Sequence, residues 1–282
     1  MAGEVDLKLG LIGDNIAQSR APLLHRLAGA QNGLGVAYDR LIPAEMGADF
    51  DGVFDACAPR GYRGVNITYP YKERAARKVR VAAPRVRAIG AVNTVLFEAD
   101  GPQGHNTDHS GFIEAYRAAR ATAAPGVVCL IGTGGVGRAL AFGLVALGAQ
   151  EIRLFDRDGA KADALARDLR AVAGAPAVAV CADAAGAARG ADGLLNGTPV
   201  GMVGHDGTAL PPSALEGAAW AFDAVYTPVE TQFLQAARAA GLDVISGYEL
   251  FFWQGVHAWT HFAGLPLDRA RLRADLLRCA ED

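Results

Sequence analysis

The chain has 282 residues, of which 51% are hydrophobic, enough for one large core or two ordinary ones. A formal net charge of −3 gives no general attraction for nucleic acid or acidic membranes, so neither is expected as a partner. Four widely spaced cysteines (Cys57, Cys129, Cys181, Cys279) form no metal-ligand pattern, the first residues lack the marks of a signal segment, and no apolar run would span a bilayer; a reduced, cytoplasmic compartment is the expectation.

The predicted elements begin with a strand at residues 9–12, ending at Gly13. Pro22 suits the first turn of a helix, with Leu23, Leu24 and Leu27 as its buried stripe. Residues 38–42 alternate as a strand, residues 65–67 form another that Pro70 stops, and residues 94–97 follow a turn at Gly90. A helix is expected from near Asp108 through Phe112, Ile113 and Tyr116, and residues 121–126 read as a break. From Val127 to about Ile245 strands and helices alternate regularly, with strands at 127–131, 151–155, 177–181, 193–195 and 220–225. Such alternation predicts a parallel sheet with helices on both faces. The alanine-rich stretch 182–191 is helix-compatible, and the aromatic tail from Tyr248 is helical.

The most specific segment is an apolar strand running into Gly132-Thr133-Gly134-Gly135-Val136-Gly137 ahead of a helix-prone stretch. Gly132 permits the tight turn, Gly134 lets backbone approach a pyrophosphate, and Gly137 lets helix and strand pack closely. With Gly135 and Val136 they make the expected cofactor turn. The next strand ends at Asp156, at the spacing of an acid that accepts a hydrogen bond from the adenosine ribose. A carboxylate there would repel a 2′-phosphate, which favours NAD over NADP. Arg157, between Asp156 and Asp158, is read as clamping a phosphate, stacking on adenine or facing solvent.

Upstream lies a group of polar residues that packing does not explain: Asn66, Thr68 and Lys72 at a strand end, Asn93 after a turn, and Asp108 at a helix start. Strand ends and loops are where α/β enzymes place catalytic groups. Read singly, Asp108 is also a plausible helix cap, Lys72 a surface lysine, and Asn93 and Thr68 turn residues. His105 and His109 flank the group and read more simply as solvated or helix-start residues than as ligands, and no His/Cys/Asp cluster implies a metal.

Six segments carry a resemblance. They are Asn66-Ile67-Thr68-x-Pro70-x-Lys72, Gly90-Ala91-Val92-Asn93-Thr94, Asn106-Thr107-Asp108-x-x-Gly111-Phe112, the glycine turn, Asn196-Gly197-Thr198-Pro199-x-Gly201-Met202, and Asp223-Ala224-Val225-Tyr226-x-Pro228. Over nearly its whole length the chain resembles the shikimate and quinate dehydrogenase family. The resemblance implies a two-domain α/β fold: a discontinuous catalytic domain (1–116 completed by 247–282) and a Rossmann-type NAD-binding domain (117–246), with substrate in the cleft. It implies Lys72 and Asp108 as the catalytic pair. Ser19, Thr68, Asn93, Tyr226 and Gln254 would hold a small hydroxy acid, and Thr198, Pro199, Met202, Val225 and Gly247 would contact the cofactor. Tyr226 and Gly247 would also line the junction between domains.

The segment Gln18-Ser19-Arg20-Ala21-Pro22 stands where many shikimate-specific members have His-Ser-x-Ser-Pro; Ser-Arg-x-Pro resembles the NAD-using quinate/shikimate branch, whose x is commonly threonine. Ala21 therefore lacks a hydroxyl. The expected reaction is NAD-dependent interconversion of shikimate and 3-dehydroshikimate, or of quinate and 3-dehydroquinate, as in aromatic amino acid biosynthesis. The alternatives are a dehydrogenase for a related cyclic hydroxy acid, one of the methylenetetrahydrofolate type, and a non-enzymatic NAD-binding sensor. The Asn106-Thr107-Asp108 segment argues against the methylenetetrahydrofolate type, and retention of both Lys72 and Asp108 argues against the sensor. A monomer or homodimer is expected.

Overall fold

A computed structural model describes residues 5–279. They divide into two compact units: one takes the chain as far as Thr107 and resumes at Gln254, and the other runs from Asp108 to Trp253.

The first unit holds a five-stranded sheet in the order β2-β1-β3-β4-β5, from β1 (Leu7–Ile12), β2 (Val36–Leu41), β3 (Gly64–Ile67), β4 (Thr94–Glu98) and β5 (Gly101–His105). β1 is parallel to β2 and β3, while β4 runs antiparallel to β3 and β5. The sequence reading assigns no strand to residues 101–105, because Gly-Pro-Gln-Gly-His has little intrinsic β preference. Pairing along the whole of β4 overrides that preference. As the edge strand, β5 also tolerates Pro102, whose missing N–H leaves no central ladder broken.

Helix α1 (Ala21–Gln31) connects β1 to β2, and α2 (Phe50–Cys57), capped by the Asp49 carboxylate accepting from the Gly52 N–H at 2.9 Å, leads towards β3. The core against α2 includes Ile12, Phe50, Phe54, Val65, Ile67 and Val95. The buried stripe of α1 differs from the expected one: Leu24 is buried, but Leu23 and Leu27 are only half-buried. His25 takes their place, stacked on Tyr38 at 5.0 Å and meeting Phe262 edge-on at 5.5 Å.

Two C-terminal helices complete this unit: the later part of α10 (Gly247–Ala263) and α11 (Arg269–Arg278). Their seat is built from absent side chains, since a Cβ on Gly255 would lie 2.5 Å from Leu24 and one on Gly64 would lie 2.6 Å from the Phe262 ring. Gln31 and Asp268 exchange hydrogen bonds at 3.2 and 3.0 Å, and the Arg20 guanidinium donates to the Leu276 carbonyl.

The second unit is a six-stranded, wholly parallel sheet in the order β11-β10-β9-β6-β7-β8. Its strands are β6 (Val127–Ile131), β7 (Glu151–Phe155), β8 (Ala177–Val180), β9 (Gly193–Asn196), β10 (Trp220–Asp223) and β11 (Asp243–Ile245). The crossovers carry α6 (Gly135–Ala146), α7 (Gly159–Arg170), α8 (Ala184–Ala188) and α9 (Gln232–Ala239). Read from β8, this is the doubly wound order whose switch point lies between β6 and β9. Helices α3 (Lys72–Ala76), α4 (Pro84–Ile89) and α5 (Thr107–Arg120) complete the set.

The division between units falls inside α5 and α10 for a packing reason. Phe112 and Tyr116 of α5 lie edge-on to Phe222 and Trp220, each pair at 5.0 Å. Trp220 in turn fills the space above Gly193, where a Cβ would come within 2.3 Å of the indole. At the other end, Tyr226 stacks on Phe251 at 4.9 Å.

Candidate active site

The turn from β6 into α6 gives each glycine a distinct duty. Gly132 has φ +91°, a left-handed conformation that a side chain resists, and a Cβ there would also meet Thr198 at 2.5 Å. A Cβ on Gly137 would stand 2.0 Å from the Gly132 carbonyl oxygen, so helix and turn touch backbone to backbone. A Cβ on Gly134, the N-cap, would meet nothing within 4 Å. With no side chain capping α6, its first N–H groups face that open space, including those of Gly135 and Val136. A diphosphate fits there: backbone donors, a helix N-terminus and no side chain in the way.

Asp156 follows β7. Its Oδ2 accepts from the Thr133 N–H at 2.7 Å and the Thr133 hydroxyl at 2.9 Å, and its Oδ1 accepts from the Asp158 N–H at 3.0 Å. Burial alone would push this carboxyl up; those bonds, with Lys161 assisting, outweigh it and hold the pKa below the usual carboxylate range. The residue is therefore an anchored anion with an Oδ1 lone pair to spare for a ribose hydroxyl. Arg157 is exposed on the turn, and Asp158 is the N-cap of α7, accepting from Ala160 N–H at 3.2 Å.

At the ends of β9 and β10, Asn196 and Asp223 organise the loops that carry the remaining expected cofactor contacts. The Asn196 Oδ1 accepts from the Thr198 N–H at 2.9 Å and hydroxyl at 2.6 Å. Pro199 and Met202 close a turn through Met202 N–H to Pro199 O at 3.0 Å, and Val203 N–H donates to Thr227 O at 3.1 Å. Gly247 opens α10 directly against Val225, whose carbonyl oxygen a Cβ would approach to 2.3 Å.

In the first unit three segments converge. Thr68 directly follows β3, with its N–H on the Ile12 carbonyl at 2.9 Å, and the half-buried Lys72 opens α3. The Lys72 carbonyl accepts from Val92 N–H at 2.9 Å, which ties the start of α3 to the segment bearing Asn93. Asn93 is 2% exposed; its Oδ1 accepts from the Thr107 N–H at 2.6 Å and its Nδ2 donates to the Thr107 hydroxyl at 2.9 Å. Asn66 supports this knot, donating to Asn93 O at 3.2 Å and Thr94 Oγ1 at 3.0 Å while accepting from the Tyr38 hydroxyl at 2.8 Å. Asp108, 4% exposed, follows Thr107 along α5 and is the first residue of the second unit.

Ser19 lies just before α1, held by the Arg40 guanidinium on its carbonyl at 2.7 Å. Gln254 precedes Gly255, where α10 crosses α1 at Leu24. His105 stacks on His261 at 3.8 Å, so its ring is engaged in packing.

The sequence reading did not assign roles to Thr133, Asn196, Asp223 or Thr231. The signal for three of them lay inside quoted motifs, but their partners lie far apart in sequence.

A six-stranded doubly wound sheet entered by this glycine turn, joined to a mixed α/β unit with buried amide and hydroxyl groups, defines a two-unit dinucleotide-binding protein. A model of the shikimate dehydrogenase substrate binding domain matches residues 11–95, and one described as NADP oxidoreductase coenzyme F420-dependent matches residues 127–204. A quinate/shikimate dehydrogenase (NAD(+)) of Corynebacterium efficiens is 38% identical, over 95% of this chain and 97% of that one. A shikimate dehydrogenase (NADP(+)) of Pseudarthrobacter chlorophenolicus is 36% identical, over 95% and 94%. The structure of a quinate dehydrogenase from Corynebacterium glutamicum in complex with NAD superposes with a TM-score of 0.87 at 37% identity, covering 98% of this chain and all of that one. The chain belongs to the shikimate and quinate dehydrogenase family.

Proposed function

We propose that the chain is an NAD-dependent dehydrogenase that interconverts quinate and 3-dehydroquinate or shikimate and 3-dehydroshikimate. The observation that carries the cofactor choice is Asp156. Both its oxygens are fixed by the Thr133 and Asp158 donors, and its carboxyl is held below the usual range. A 2′-phosphate would meet this anchored negative charge, whereas a 2′-hydroxyl donates to it. Relatives of both cofactor types exist, so this residue rather than kinship decides.

Bound NAD supplies the hydride acceptor. Lys72 either takes the substrate hydroxyl proton as a neutral amine, becoming an ammonium, or offsets the developing alkoxide charge as an ammonium, and Asp108 orients it. Thr68 and Asn93, with Ser19, Tyr226 and Gln254, bind the carboxylate and ring hydroxyls. Asn93 is already rigid through Thr107 and so presents its amide without further ordering. A reducing cytoplasm suits the four free cysteines.

Steady-state rates on quinate, shikimate and their deoxy or amino analogues, each with NAD and NADP, test this reading. Lys72→Ala should cut kcat by ~10² or more with little change in KM, as expected for lost proton transfer, and Asp108→Asn should lose turnover while folding normally. Near-normal kcat in the lysine variant would remove it from the mechanism.

A further inference from the structure

The second unit buries a carboxylate that the hydride-transfer chemistry does not use. Asp223, the last residue of β10, is 0% exposed, and its hydrogen-bond partners are all neutral. Its Oδ1 accepts from Asn196 Nδ2 and from the Val225 N–H, both at 2.9 Å, and its Oδ2 accepts from the Thr231 hydroxyl at 2.6 Å. Burial outweighs the three donors, which pull the other way, and leaves this carboxyl raised to about 6. An uncompensated buried anion is costly, and an apolar residue at the end of a buried strand would pack without that penalty.

The arrangement makes sense when its partners are followed outward. Asn196 ends β9, and its amide also donates to Val200 O at 3.0 Å while its oxygen holds Thr198. Val225 opens the loop after β10, and Thr231 is the N-cap of α9, accepting from Leu234 N–H at 3.2 Å. One carboxylate thus sets residues 196–200 on one side and 225–231 on the other. A carboxylate suits this node because it only accepts, and three donors converge on it.

We propose that Asp223 is a positioning residue for the nicotinamide half of the cofactor site, acting through Asn196 and Val225 on the two loops that border the ends of β9 and β10. In a doubly wound sheet the adenosine end belongs to the first half, here β6–β8 with the glycine turn and Asp156, and the nicotinamide end to the second, here β9–β11. The inference rests on the dinucleotide reading given above and adds a division of labour between the halves.

That division supplies the test. NADH, which spans both halves, and ADP, which occupies only the first, are titrated against wild type, Asp223→Asn, Asn196→Ala and Thr231→Ala. Asp223→Asn and Asn196→Ala are expected to weaken NADH about tenfold, the scale of one charged or unsatisfied hydrogen bond, and to leave ADP affinity unchanged. Unchanged ADP binding also shows that the unit has folded. Thr231→Ala removes a helix cap and one donor to Asp223, folds with a modest loss, and shows the same split in smaller degree. Unaltered NADH affinity in the variants, or equal weakening of NADH and ADP, overturns the proposal. Failure of wild type to bind either probe would instead refute the dinucleotide reading beneath it.

Discussion

Two alanine substitutions, three residues apart in the glycine turn, should differ in their effect on folding, one destabilising and one neutral, and have similar effects on binding. At Gly137 the new Cβ would stand 2.0 Å from the Gly132 carbonyl oxygen and 2.8 Å from its carbon. Both atoms are backbone, so no side chain can swing aside, and α6 must retreat from the turn by roughly an ångström or more. Overpacking of this kind costs ~1–3 kcal/mol, which lowers Tm by roughly 2–12 °C for a unit of this size. The displaced helix N-terminus also loses a charge-assisted bond to phosphate, weakening NADH by ~10–100-fold. At Gly134 the backbone is extended (φ −73°, ψ −167°) and an added Cβ meets nothing within 4 Å. Gly134→Ala should therefore melt like wild type, yet lose NADH because the methyl enters the space reserved for the diphosphate. Differential scanning fluorimetry and NADH fluorescence titration read both effects. If Gly137→Ala melted and bound like wild type, or if Gly134→Ala bound NADH normally, the reading of this turn as the phosphate cradle would fall.

Asp156→Ser should weaken NAD and relax rejection of NADP, each by ~10–100-fold, since one carboxylate both accepts from the ribose and repels phosphate; a wild-type preference for NADP would defeat the argument at its first step. His25 should make folding sensitive to acid. Burial lowers its pKa from 6.5 to about 3, against a bond with Asn66 that raises it, so below pH 6.5 the unfolded chain takes up a proton that the folded one refuses. Its contribution is thus complete above pH 6.5 and is lost as pH falls towards 3, at up to ~1.4 kcal/mol per pH unit. Urea unfolding of His25→Leu should show that much less slope between pH 6 and 4, and an unchanged slope would mean that the ring is protonated in the fold. Ala21→Thr returns a hydroxyl to the buried first residue of α1 and should raise kcat/KM on quinate or shikimate by ~0.5–1.5 kcal/mol, a few-fold. A fall in activity on both, with a different hydroxy compound as the better substrate of wild type, would show that Ala21 makes room for that compound.

Much of the second unit was legible in the sequence because parallel strands buried on both faces read as apolar runs. Val128, Cys129 and Leu130 are each 0% exposed, and in the turn that follows them Gly132, at φ +91°, and Gly137, against the Gly132 carbonyl oxygen, sit where geometry requires glycine. The strand β5 was not legible, since its pairing with β4 rather than its own composition makes it a strand. The face of α1 was misjudged for a similar reason: the ring of Tyr38 gives His25 a stacking partner, and no periodicity of leucines foretells that. In the candidate site the residue types of Lys72, Asn93 and Asp108 were visible, but their support was not. Asn66, Thr133 and Asp223 act on groups contributed by other strands and loops, so their duties exist only once the sheet has brought those segments together.

The first unit is made of two stretches of chain separated by the whole of the second, and this has a consequence for synthesis. As the polypeptide leaves the ribosome, β1 to β5 and α1 emerge without the helices that close over Gly64, Leu24 and His25. At ~5–20 residues per second, making residues 108–253 leaves that apolar surface uncovered for on the order of ten seconds. The inserted unit, continuous in sequence and local in its crossovers, has all its parts before its host does. Folding order is thus inverted with respect to translation order, with the later-made unit free to finish first and the earlier-made one waiting for α10 and α11. Pulse proteolysis of nascent chains stalled at increasing lengths would read that order directly, as protection of the nucleotide-binding sheet ahead of the sheet that precedes it.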